Sequence, residues 1–212
     1  IRGLAGFVAL TVGCTVTSPS HSDGPVSAGA AAASPPSEPA PTAPVKVERM
    51  ALAMGTRIQV VAYTSPNVGE AAANAAIDSA VAEMTRLEGL LSEWREDSDV
   101  GQINSRTGGW VAVAPETLDV VERGIWAGNV SHGAFDITFQ VMRGLWNFGS
   151  DSDPVPRVPS AADVAERRAL INYRDVEVDR AQRRVRLPRG RSMGLGGIAK
   201  GHAVDRGIAL LQ

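Results

Sequence analysis

Met193-Gly194-Leu195-Gly196-Gly197-Ile198-Ala199-Lys200-Gly201 gathers four glycines just ahead of Val204, Ile208 and Leu211, which recur at helical spacing. The stretch predicts a glycine-rich turn that opens an amphipathic helix near Ile198. Within it, Gly194-x-Gly196-x-x-Ala199 matches the dinucleotide fingerprint, in which glycines let backbone amides approach a pyrophosphate at a helix N-terminus. That fingerprint also wants a strand directly before it, a βαβ unit around it and an acid about 20 residues later, a position beyond Gln212. Two readings therefore stand side by side. The exposed amides and Lys200 form an anion site, or the glycines serve tight packing where the helix starts.

Upstream, strands and helices mix. Thr56 to Tyr63, with Ile58, Val60, Val61 and Ala62, reads as a strand, with Met54-Gly55-Thr56 where it begins. From Glu70 to Leu91 the residues Ile77, Val81, Met84, Leu87 and Leu91 make one helical stripe. Trp110 to Val113 is a short strand, and Pro115-Glu116 opens a helix with Leu118, Val121 and Ile125 on its inner face. Ser160 and Asp163 resemble a capping box for a helix through Leu170. Val176 and Val178, then Val185 and Leu187, alternate as hairpin arms around Arg180-Ala181-Gln182. The arginines 183, 184, 186, 189 and 191 read as a solvated hairpin edge protected by charge. Antiparallel hairpins among helices point to an α+β or mixed α/β fold.

The bulk numbers permit an enzyme without naming one: 212 residues, 44% hydrophobic and 21% charged. A net charge of -2 argues against a nucleic-acid partner, since phosphate binding needs a basic face. Leu4 to Val12 is a short apolar run behind Arg2 that ends at Gly13-Cys14, and a bilayer span needs about 20 residues. Residues 1–14 are expected to be a signal peptide ending at a lipoprotein cysteine. Cys14 is the sole cysteine, so no internal disulfide exists. Residues 15–48, with Pro19, Pro25, Pro35, Pro36, Pro39, Pro41 and Pro44, are expected to be a disordered Pro/Ala/Ser-rich tether.

Three further segments carry polar or aromatic groups between apolar runs. In Ser92-Glu93-Trp94-Arg95-Glu96-Asp97-Ser98-Asp99-Val100, Trp94 either stacks on a planar ligand or covers the end of the preceding helix. Gly133-Ala134-Phe135-Asp136-Ile137-Thr138 sets an acid and a hydroxyl about an apolar residue after a helix end, the pattern of a turn cap. In order along the chain stand Met54-Gly55-Thr56, then Ser92-x-Trp94 with Ser98-Asp99-Val100-x-x-Ile103-Asn104. Next come Gly133 to Thr138 with Trp146, and then Leu195 to Asp205. In that order the segments resemble the FAD:protein FMN transferase family, the ApbE-like flavin transferases, over about Met50 to Leu211.

The resemblance implies a sandwich-like, T-fold-like α+β domain over residues 49–212, with the C-terminal part of the fold beyond Gln212. It implies that Met54, Trp94, Ala134, Phe135, Asp136, Gly196 and His202 contact FAD, and that the Ala199 carbonyl binds Mg2+. Lys200 and Asp205 match the family pattern without an assigned catalytic role. Gly194 stands where the family commonly has Asp, His202 where it commonly has Tyr or Phe, and Gln140-Val141 replaces a frequent Gly-Pro. The implied reaction is Mg-dependent transfer of FMN from FAD to a threonine hydroxyl of a target protein, such as a subunit of a membrane redox complex, releasing AMP. Alternatives are Mg-dependent hydrolysis of FAD to FMN and AMP, and non-catalytic flavin binding at a membrane. A nicotinamide oxidoreductase rests only on the glycine fingerprint. The implied location is the bacterial cell envelope, as an inner-membrane lipoprotein on the extracytoplasmic side.

Overall fold

A computed structural model describes residues 43–148 and 155–211. The expected leader, Cys14 and nearly all of the expected tether lie outside the described residues. The chain enters as a hairpin of β1 (Lys46–Ala53) and β2 (Thr56–Tyr63), paired antiparallel from Lys46↔Tyr63 to Ala53↔Thr56. β1 thus begins inside the stretch assigned to the tether. Its outward side carries Glu48, Met50 and Leu52, so no clean alternation marked it as a strand. Met54-Gly55 is not a simple lead into a strand but the two-residue turn of this hairpin, with φ of 54° and 68°. That left-handed pair matches the twist of a tight hairpin; Gly55 adopts it freely, whereas it strains Met54.

Four helices and a second sheet extend the frame. α1 (Glu70–Leu91) spans the range its stripe predicted, burying Ile77, Met84, Leu87 and Leu91 together with Ala73 and Ala80. α2 (Asp99–Ser105) leads to β3 (Trp110–Ala112), and α3 (Pro115–Val130) starts at the predicted proline. A 3₁₀ turn covers Ile137–Met142, α4 covers Ala161–Arg168 behind its Ser160 cap, and a second 3₁₀ turn covers Tyr173–Asp175. β4 (Glu177–Asp179) and β5 (Arg184–Arg186) form the predicted hairpin, and β3 adds to β5, giving the antiparallel order β3-β5-β4.

β5 is therefore the central strand, which corrects the reading of its arginines as a hairpin edge. The strand tolerates them because its one inward residue, Val185, is fully buried. On the outer face Arg184 pairs with Asp179 at 2.9 Å and Arg186 with Glu177, and both guanidinium groups lie over the Trp110 ring.

α5 (Gly196–Leu211) closes the frame against α1. It starts two residues before the expected Ile198, and its buried face differs from the expected one. Ala199, His202, Ala203 and Gly207 point inward, while Val204 and Ile208 are each 45% exposed. The small residues let two helix backbones approach, with Met84 lying against Gly207. The main core joins α1, α2, α3, the second sheet, Met193 and Leu195; a smaller one seals the hairpin onto α1 through Val47, Val60, Ala73 and Ile77. All named strands pair antiparallel amid helices, so the α+β expectation holds.

Candidate functional site

The segments singled out in the sequence are, first of all, clamps. Ser98, buried, accepts from the Gly101 N–H at 2.8 Å and so caps α2. Its neighbour Asp99 accepts from the Ala114 N–H at 2.8 Å and the Thr117 hydroxyl at 2.6 Å, fixing the start of α3 to the start of α2. Asn104 holds a residue far along the chain. Its Nδ2 donates to the Met193 carbonyl at 2.9 Å and its Oδ1 accepts the Met193 N–H at 2.8 Å. The next amide, Gly194, donates to the Ile137 carbonyl at 2.8 Å. The glycine-rich stretch is thus fixed on both sides before α5 begins.

Asp136 has a similar task. One carboxylate oxygen accepts from the Thr138 N–H and hydroxyl at 2.7 and 2.6 Å, and the other from the Tyr173 N–H at 2.9 Å. Thr138 Oγ1 in turn accepts from the Asn172 N–H at 2.8 Å. Asp136 and Thr138 together tie the two 3₁₀ turns into one wall. Behind that wall Tyr173 is buried, its hydroxyl donating to Asn129 at 3.0 Å and its ring against Gly128.

These clamps frame an open cleft of about 800 Å³. Residues 133–136 with Phe139 and Gln140 form one side, Ile171–Arg174 with Arg168 another, and Gly194, Gly196 and Gly197 the floor, with Glu93 reaching in from the loop after α1. The Phe135 ring rests over Gly197, where a Cβ would stand 3.0 Å from Cε2. Among the described residues the Gly196 and Gly197 amides make no backbone hydrogen bond, and both residues line the cleft at the positive end of the α5 dipole.

Charge is unevenly spread in this cleft. A Cβ on Gly194 would stand 2.8 Å from Glu93 Oε2 and 3.0 Å from Gln140 Oε1, and one on Gly196 would stand 3.8 Å from the same carboxylate. Glu93 makes no ion pair or hydrogen bond among the described residues. Arg168 and Arg174 line the cleft as well, neither paired to an acid there, and the Arg174 guanidinium lies 4.5 Å above the Tyr173 ring. Two like unit charges 4 Å apart cost about 4 kcal/mol at the effective dielectric of a protein surface. A phosphate placed against Glu93 meets that repulsion, and one beside the arginines gains the opposite.

Of the residues expected to contact FAD, Ala134, Phe135, Asp136 and Gly196 line this cleft. His202 lines a neighbouring cleft of about 510 Å³ with Arg123, Trp126 and Asp205; Gly197 borders both. Trp94 lines neither. It is 71% exposed, with the Arg143 guanidinium 3.7 Å above its ring. Met54 lines neither and packs partly against the main core from its hairpin turn. His202 is buried, with Nδ1 3.7 Å from Asp119, too far to hydrogen-bond, and with Nε2 unpartnered. Burial pushes its pKa below the usual histidine range, against the opposing pull of Asp119.

Ala199 lies buried in the first turn of α5, where its carbonyl offers a single hard oxygen. Magnesium takes near-octahedral oxygen coordination that normally includes a carboxylate. Among the described residues no three His, Cys, Asp or Glu side chains gather as a metal site. The described residues therefore do not fit a Mg2+ site on their own.

Sequence reasoning did not select Glu93, Gln140, Arg168 or Arg174 for the site, nor the clamping role of Asn104; the turn-cap reading of Asp136 holds, while its bond from the distant Tyr173 N–H was not foreseen. Asn104 lay within a quoted motif, but its partner is 89 residues away. No helix among the described residues is long and apolar enough to cross a membrane.

Comparison with known proteins adds the family. The sequence model of the ApbE family matches residues 54–212. A FAD:protein FMN transferase of Klebsiella pneumoniae is 32% identical over 154 residues, covering 71% of this chain and 41% of that protein. One from Treponema pallidum is 30% identical over 171 residues, covering 77% and 46%. The crystal structure of the ApbE protein of Thermotoga maritima superposes with a TM-score of 0.70 at 29% identity, covering 79% of this chain and 52% of that one. The apo form of the Pseudomonas stutzeri flavinyl transferase ApbE gives 0.68 at 27%, with the same coverage. The chain spans about half the length of the relatives it matches.

Proposed function

The chain belongs to the ApbE family, and from that premise we propose that it carries part of the site of an enzyme that transfers FMN from FAD to a threonine hydroxyl of a target protein, releasing AMP. The observation that carries this reading is the convergence of separate motif segments on one cleft. Glu93 from the 92–98 loop, residues 133–136 with Phe139 and Gln140, and Gly194, Gly196 and Gly197 all line it, with the glycine stretch held by the Asn104–Met193 and Gly194–Ile137 hydrogen bonds.

In the reaction the threonine oxygen attacks the phosphorus on the FMN side of the pyrophosphate. The bond from that phosphorus to the bridging oxygen breaks, the hydroxyl proton leaves to a base, and AMP departs with the bridging oxygen. Such a transfer depends on positioning and on neutralising charge on the phosphoryl oxygens. This chain contributes Arg168 and Arg174 as cations, the Gly197 amide in the first turn of α5, and Phe135 with Ile171 as apolar surface for a planar ring. Mg2+ dependence belongs to the proposal only as an expectation from the family: the Ala199 carbonyl would be one oxygen for it, while the carboxylates such a site needs are not gathered among the described residues.

We also propose anchoring through acylated Cys14 at the extracytoplasmic face of a bacterial inner membrane, which intact-mass analysis of the membrane fraction tests. For the reaction, the purified protein is incubated with FAD, Mg2+ and an acceptor protein, then read by in-gel flavin fluorescence and peptide mass spectrometry. Flavin phosphoester on a threonine supports transfer. Free FMN with no labelled protein replaces transfer by hydrolysis, and intact FAD replaces both by simple binding.

A further inference from the structure

Glu93 is the least explained group in the cleft. It is half-buried and reaches over Gly194 and Gly196, yet it has no hydrogen bond or ion pair among the described residues. Gln140, whose carboxamide oxygen would stand 3.0 Å from a Cβ on Gly194, likewise makes no side-chain hydrogen bond there. Two polar heads thus meet above a floor without side chains. An ionised carboxylate is an acceptor only, so what satisfies it must bring N–H or O–H groups. A pyrophosphate cannot, because all its oxygens are acceptors and carry the same charge sign. The cations of the same cleft, Arg168 and Arg174, belong to α4 and the second 3₁₀ turn, whereas Glu93 follows α1.

We propose that Glu93 sets the direction in which the dinucleotide lies: its carboxylate accepts hydrogen bonds from a phosphate-free, hydroxyl- or N–H-bearing portion of the ligand over Gly194–Gly196, and the pyrophosphate lies toward Arg168 and Arg174. The proposal rests on the reading of the cleft as a FAD site. It revises the view of the glycine stretch as a plain phosphate cradle, because an acid from the α1 loop already stands over its first half. The donor portion is either the ribityl and isoalloxazine half or the adenosine half. Both offer the same chemistry, and the probes below tell them apart.

The test is equilibrium titration of the purified protein with FAD, riboflavin and adenosine, comparing wild type with E93Q, E93D, R168Q and R174Q. E93Q keeps the shape and removes the charge, so FAD binding weakens about 10-fold, the difference between a charge-assisted hydrogen bond and a neutral one. The same loss on riboflavin places the contact on the flavin half, and on adenosine it places it on the other half. R168Q and R174Q weaken FAD binding and leave riboflavin and adenosine unchanged. FAD binding that is unchanged or tighter in E93Q overturns the proposal, as does a loss confined to FAD with both phosphate-free probes unaffected. E93D withdraws the carboxylate by one methylene, and its smaller loss carries the test if E93Q fails to fold. Wild-type protein that binds no FAD overturns the FAD reading itself.

Discussion

Asn104→Ala is the substitution that most sharply separates a folding clamp from a surface loop. Asn104 makes two hydrogen bonds to one residue, 2.9 Å to the Met193 carbonyl and 2.8 Å from the Met193 N–H, and Met193 is fully buried. Each bond contributes about 1 kcal/mol net, and a buried peptide group left unpartnered costs about 1 to 3 kcal/mol. Water entering the truncated site recovers part of that cost, so the expected loss is about 2 to 4 kcal/mol. Urea unfolding followed by circular dichroism reads it as a lower midpoint at unchanged slope. Because Met193 leads directly into Gly194–Gly197, FAD affinity falls as well. Asn104→Asp refines the case: it keeps the acceptor for the Met193 N–H but turns a second acceptor toward the Met193 carbonyl. Its loss at neutral pH equals or exceeds that of Ala, and part is regained as pH falls toward about 4, because the folded site favours the protonated acid and raises its pKa above the unfolded value. A loss under about 1 kcal/mol for Asn104→Ala refutes the clamp, since even one net hydrogen bond is worth that much.

Three further outcomes follow from the packing and charges. Gly128→Ala places a methyl 2.8 Å from three carbons of the buried Tyr173 ring, which is held by its bond to Asn129, so stability drops by about 1 to 3 kcal/mol in the same urea assay. His202→Phe removes the unpartnered buried Nε2 and keeps a ring of similar size, so the protein gains about 1 kcal/mol and melts higher by calorimetry. The acid limb of stability depends on Glu83 and Glu116. Glu83 is held below the usual carboxylate range chiefly by its hydrogen bond from Arg86, and Glu116 by its own backbone amide at the start of α3 and then by Arg86. Both bind protons more readily unfolded, so their stabilisation is complete above about pH 4.5 and fades as pH falls through the depressed values. Arg86→Met flattens that limb in pH-dependent melting curves.

The sequence made some elements legible because their signals are local. The stripe Ile77, Met84, Leu87 and Leu91 and the Pro115-Glu116 start need only one helix to be read, and α1 and α3 begin where those signals place them. β1 was hidden because its outer residues Met50 and Leu52 are apolar yet exposed, which blurs alternation. The inner face of α5 was misread for the opposite reason. Hydrophobicity favoured Val204 and Ile208, but close approach to α1 selects Ala199, Ala203 and Gly207. The site divides in the same way. The glycine stretch and the 133–138 segment stood out through composition, and both line the cleft. The charges of Glu93, Arg168 and Arg174 looked like ordinary surface until the fold brought three distant segments together.

The most direct test of the FAD site is a crystal structure of the protein grown with FAD. The expected density places the dinucleotide in the cleft floored by Gly194, Gly196 and Gly197, with its pyrophosphate on the side of Arg168 and Arg174 and a phosphate-free portion against Glu93. FAD bound at a site that none of these residues lines contradicts that placement.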